Sequence, residues 1–176
     1  MNESWAGRPR GSRSWPAEVA KVLEALPPVL FAVPYSGAHP PQPPALAVAG
    51  ERAAAPRPDG LDLTAGANCQ RYAYAVLAHH GRRVPPLRSA ELWADASATV
   101  RAPRPAPLDL VLFDAGPVPG RAEGYGAHVG VHLGPDAVLH LCREVGRPAV
   151  WRYGDFAARA RYARFLGAKR VLPAHG

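Results

Sequence analysis

The chain has 176 residues, 48% of them hydrophobic, which suits one domain with a real core and is too apolar for a broadly disordered protein. Its formal charge of +7 is carried almost entirely by arginine. The arginines are scattered, with no regularly spaced aromatics between them, so no nucleic-acid partner is expected. No apolar run approaches the roughly 20 residues of a membrane-spanning helix, and two cysteines, Cys69 and Cys142, are too few for a disulfide framework.

Residues 1–16 are polar, with Gly, Arg and Pro, and are expected to form a flexible basic arm. No hydrophobic segment or small-residue cleavage site follows the basic start, so a cytoplasmic chain is expected, or a secreted one if a leader has been removed. Residues 17–176 read as a single domain. A first helix is predicted over 17–26, where Val19, Val22, Leu23 and Leu26 recur at helical spacing between Pro16 and Pro27. Residues 38–60 are rich in Pro and Ala and read as a long loop. A second helix is predicted over 68–80, capped by Asn68 at its start and ended by Gly81. A shorter one is predicted over 88–96, around Leu92 and Trp93, and the proline-interrupted stretch 101–107 reads as extended.

Strand signals follow at 108–113, then at 127–133 and 137–142 on either side of Gly134-Pro135-Asp136, which reads as a hairpin turn. Residues 149–153 make another strand, 155–165 a helix, and 169–172 a last strand. Helices first and a run of antiparallel strands afterwards give an α+β class.

A cysteine in the first turn of a helix faces free backbone N–H groups and the positive end of the helix dipole, both of which stabilise a thiolate. Cys69 stands in that position, after Asn68 and Gly66. A buried packing cysteine is the plainer reading of Cys69 taken alone. A thiol nucleophile also needs a base. The segment from Ala127 to Leu133 alternates strictly, so His128, Gly130 and His132 share one face. If the hairpin pairs His132 with Val138, Gly130 opposes His140, and His128 lies diagonally within reach of His140. His128 would then take the thiol proton, and His140 would hold its ring in the right tautomer. A metal site built from His128, His132, His140 and Cys142 is disfavoured, because positions i and i+4 of one strand lie about 13 Å apart. Cys142 reads as a packing residue or a redox partner of Cys69.

The stretches Pro34-Tyr35-Ser36-Gly37, Asn68-Cys69-Gln70, Leu108-Asp109-Leu110 and His128-Val129-Gly130-Val131-His132-Leu133-Gly134, with Leu139-His140 after the turn, resemble in order the motifs of NlpC/P60 domains. The resemblance runs over about residues 30–172. It implies a papain-like α+β fold in which a Cys-bearing helix packs on an antiparallel sheet. It implies a catalytic triad of Cys69, His128 and His140, with Tyr35, Asn68 and Gln70 at the substrate and the Cys69 N–H in an oxyanion hole. It further implies a cysteine peptidase or amidase acting on peptide or amide substrates of the peptidoglycan stem-peptide kind, with no metal or organic cofactor. The sequence departs from the family pattern at Asn68, where the family has Asp, at Gln70, where it has Ser, and at Leu108, where it has Gly. Two other functions remain open: an acyl or amide transferase on the same scaffold, and a catalytically inactive binding module.

Overall fold

The computed structural model describes residues 15–38 and 63–173. The expected arm at 1–16 therefore lies outside the described residues except for Trp15 and Pro16, and the expected loop at 38–60 lies outside them except for Ala38. Trp15 packs on the core, and the Arg152 guanidinium lies 4.7 Å from its ring centroid.

Helix α1 spans Ala17–Glu24, and a 3-10 turn follows at Pro28–Phe31. Helix α2 spans Cys69–His79 and α3 spans Ser89–Ala94. Strands β1 (Thr99–Ala102), β2 (Leu110–Asp114), β3 (His128–Gly134), β4 (Ala137–Leu141) and β5 (Pro148–Trp151) come next. Helix α4 (Tyr153–Ala157), a 3-10 turn at Ala160–Tyr162 and strand β6 (Arg164–Val171) close the order. The strands form one six-stranded sheet, β1-β6-β2-β3-β4-β5, and every pairing in it is antiparallel. The α+β expectation holds.

Two stretches differ from their sequence reading. The helix expected at 155–165 breaks after Ala157, and strand β6 starts five residues earlier than the expected 169, at Arg164. Tertiary pairing overrides local propensity there: Phe165 registers with Phe113, and Arg164 with Asp114, whose carboxylate it grips at 2.7 and 2.8 Å. Helix α3 stops at Ala94, before the expected 96, because the Asp95 carboxylate accepts the N–H groups of Ser97, Ala98 and Thr99 and turns the chain into β1.

Strand alternation divides the core between the two faces of the sheet. On one face Leu110, Leu112, Val129, Val131, Leu133, Leu139 and Leu141 pack with Ala73, Val76 and Leu77 of α2 and Val19 of α1. On the other, Val111, Phe113 and Val138 pack with Phe156 of α4, Tyr162 and Trp151. Helix α2 ends as its glycine predicts: Gly81 takes φ +74°, its N–H reaches Ala78 O, and Arg82 N–H reaches Leu77 O at 2.9 Å.

Candidate active site

The approach to α2 fixes the cysteine. Gly66 has φ +98°, and a Cβ there would stand 2.8 Å from Pro34 O and 2.9 Å from Ser36 Cβ. Only glycine admits this close approach. It lets the Tyr35 segment bridge in parallel to Ala67, with Ser36 N–H donating to Ala67 O at 2.8 Å. Asn68 then caps the helix as expected, its Oδ1 accepting the Arg71 N–H at 2.9 Å. Cys69 is the first residue of α2, half-buried, with a free thiol.

The sheet supplies the histidines. His132 registers with Val138 and Val131 with Leu139, as the hairpin argument requires. A Cβ on Gly130 would stand 2.5 Å from Val138 Cγ1 and 3.4 Å from His140 Cβ, so only glycine lets β4 approach this closely. His128 Nε2 and His140 Nδ1 are joined by a hydrogen bond of 2.9 Å, with the rings at 90°. Tyr162 lies over His128 at 4.8 Å between centroids, and Trp151 and Phe156 lie against His140 at 4.3 and 4.9 Å.

Both imidazoles therefore stand on the face opposite the body of α2. Cys69 packs against the core on the α2 face. The registered pairing of β3 with β4 ends at Val131, and Cys69 lies against the backbone N–H of Val129, the residue after His128. The N–H groups of Gln70 and of Cys69 itself also face the sulfur. Among the described residues no hydrogen bond joins the Cys69 thiol to the His128 ring; His128 bonds through Nε2 to His140. In unliganded sites catalytic hydrogen bonds are commonly long and tighten when substrate binds.

Burial disfavours the charged form of each of Cys69, His128 and His140. Burial pushes the Cys69 thiol up, against the pull of the Val129, Gln70 and Cys69 N–H groups. Burial pushes His128 down to about 3, and the Arg161 cation adds to it. His140 is driven the same way by burial, by His128 and by Arg159. The helix N-terminus does meet the sulfur as the sequence argument expects, but burial outweighs it. Burial thus favours the neutral thiol at Cys69 and the neutral imidazole at His128.

The other residues singled out in the sequence fall as follows. Asn68 Nδ2 donates to Gln70 Oε1 at 3.1 Å, so these two side chains are engaged with each other beside the sulfur. Tyr35 packs on the core, its N–H donating to Gly146 O at 2.9 Å. A cleft of about 240 Å³ opens alongside it, lined by Phe31, Ala32, Pro34, Gly146 and Arg147. His132 points elsewhere, its Nδ1 3.0 Å from Tyr153 Oη. Among the described residues no cluster of three or more His, Cys, Asp or Glu could hold a metal ion. Cys142 is buried, with its thiol free, and follows β4 directly. Sequence reasoning missed Trp151, Phe156 and Tyr162 around the histidines. Strand alternation of β5 puts Trp151 on the face of His140, whereas Phe156 and Tyr162 come from α4 and the turn after it and leave no mark in the hairpin pattern.

No family model matches the chain, and neither does any curated protein. Solved structures do. The chain is similar to an NlpC/P60 family protein from Bacillus cereus, with 21% identity over 61% of this chain and 32% of that one, at a TM-score of 0.44. It is similar to the NlpC/p60 domain of the peptidoglycan hydrolase SagA, with 14% identity over 89% of this chain and 97% of that one, at 0.46. It is similar to the peptidoglycan hydrolase RipB from Mycobacterium tuberculosis, with 22% identity over 96% of this chain and 74% of that one, at 0.48. The chain spans about a third of the Bacillus cereus protein's length. NlpC/P60 is the family that the sequence motifs resemble.

Proposed function

We propose that the chain is a cysteine hydrolase that cleaves an amide bond through a thioester on Cys69. The observation that carries this reading is the junction at Val129: the first residue of α2 puts its thiol on the strand that begins with His128, and His128 is bonded to His140. Transfer of the Cys69 S–H proton to His128 Nδ1 would leave a thiolate to attack the substrate carbonyl carbon. The N–H groups beside the sulfur are candidates for donation to the oxygen that becomes negative. When the C–N bond breaks, the imidazolium returns its proton to the leaving amine. Water then attacks the thioester, His128 takes its proton, and the acid and the free thiol are released.

The resemblance of the Cys69 and His128 stretches to NlpC/P60 motifs supports a peptide of the cell-wall stem type as substrate, with Tyr35, Asn68 and Gln70 beside the reacting bond. The test is incubation with a panel of stem peptides, followed by intact-mass measurement and amine detection. An acyl adduct on the wild type that is absent from Cys69→Ala, together with loss of turnover in His128→Ala, is the expected result. Amine release that persists in Cys69→Ala would sink the reading. A product carrying an added amine in place of water would convert it to a transferase.

A further inference from the structure

His140 is fully buried, and among the described residues its Nε2 has no hydrogen-bond partner. Its other nitrogen, Nδ1, is bonded to His128. Whichever way that bond runs, His140 Nε2 carries an N–H or a lone pair that no described group answers, on an imidazole packed against aromatic rings. Trp151 lies 4.3 Å from the imidazole centroid at 63°, and Phe156 lies 4.9 Å away at 58°. Both rings are held. Phe156 stacks on Phe113 at 4.0 Å and 6°, and the Arg159 guanidinium lies 4.0 Å over Trp151 while gripping Glu144.

An aromatic face is the negative part of the ring quadrupole: it attracts an N–H and repels a lone pair. We propose that Trp151 and Phe156 are positioning residues that hold the His140 proton on Nε2. The consequence runs through the pair. With its proton on Nε2, His140 offers a lone pair at Nδ1, and His128 must donate from Nε2. The single proton of neutral His128 is then spent on that bond, and Nδ1 keeps the lone pair that a thiol proton needs. The opposite tautomer would place a proton on His128 Nδ1 and remove the base. The bearing on catalysis rests on the hydrolase reading; the tautomer itself does not.

Two-bond ¹H–¹⁵N correlation spectra of protein labelled at histidine, assigned with His128→Gln and His140→Gln, read the tautomers directly. The expected spectrum has His140 protonated at Nε2 and bare at Nδ1. A His140 protonated at Nδ1 overturns the inference, whether or not the protein proves to be a hydrolase. Trp151→Phe keeps a ring face and should keep the spectrum. Trp151→Leu should populate the second tautomer, and acylation of Cys69 should fall in proportion to the competent population measured in the same sample. A Trp151→Leu protein that loses acylation with its tautomer unchanged assigns Trp151 to packing alone and overturns its role. If Trp151→Leu does not fold, the wild-type spectrum still decides.

Discussion

A side chain at position 130 would collide with Val138 at 2.5 Å and crowd the backbone of Leu139 at 3.2 Å. Gly130→Ala should therefore cost about 1–3 kcal/mol, the usual range for overpacking. It should also push β4 outward and part the imidazoles, so that turnover falls further than stability alone explains. A urea midpoint beside a turnover rate checks both halves. Cys69 carries a second expectation at this scale. Burial raises its thiol, so iodoacetamide should modify it slowly at neutral pH, with a rate that climbs only above the free-thiol value of about 8.5. A rate already at its plateau near pH 6 would mean a resting thiolate–imidazolium pair and would contradict the neutral site. The imidazole pair was legible in the sequence because strand alternation and one hairpin register decide it. The neutral resting state was not. It depends on how much the rings of Phe156 and Tyr162 shut out water around His128, and no periodicity reports that.

Turns between elements do as much positioning as the elements. Asp95 ends α3 and begins β1, accepting from the N–H and hydroxyl groups of Ser97 and Thr99. Lys169 of β6, buried, donates to the backbone carbonyl of the same residue. Burial works against the Asp95 carboxylate, but the Thr99 and Ser97 donors outweigh it and hold its pKa down to about 2. A depressed carboxylate contributes stability that is present above its unfolded value of about 3.9 and lost as pH falls through the folded one. Asp95→Ala should cost about 1–2 kcal/mol at pH 7, discounted for the partial exposure of the group. The deficit should shrink between pH 4 and pH 2 in paired denaturation curves. At this scale the sequence led only part of the way. The strands of the β3–β4 hairpin and helix α2 follow from their own residues. Strand β6 begins at Arg164 only because Phe113 and Asp114 receive it, and a partner 50 residues away leaves no local mark.

At the scale of the whole molecule, the sheet is a wall with α1 and α2 on one side and an aromatic cluster that includes Phe156 of α4 on the other, and the histidines are built into the aromatic side. That placement has a cost in acid. His128 titrates near 6.5 in the unfolded chain and at about 3 in the folded one. Between those values the unfolded state binds the proton and the folded state does not, so stability falls as pH falls through the window. His140 has the same sign, and so does His132, where burial prevails over the nearby Asp109. Each group that stays neutral in the fold removes up to about 1.4 kcal/mol per pH unit below the unfolded value. A domain stable by about 5–15 kcal/mol cannot bear that from several groups for long. The formal charge of +7 adds self-repulsion as carboxylates protonate. The protein should therefore lose stability steeply between pH 6.5 and pH 4, with the carboxylates adding to the loss only toward the lower end of that range. Urea midpoints at pH 7, 6, 5 and 4 measure the slope, and His128→Gln should flatten it by one group's share. A midpoint that stays level from pH 7 to pH 4.5 would mean that the imidazoles take up protons in place, and a buried neutral pair could not be the resting state of this site.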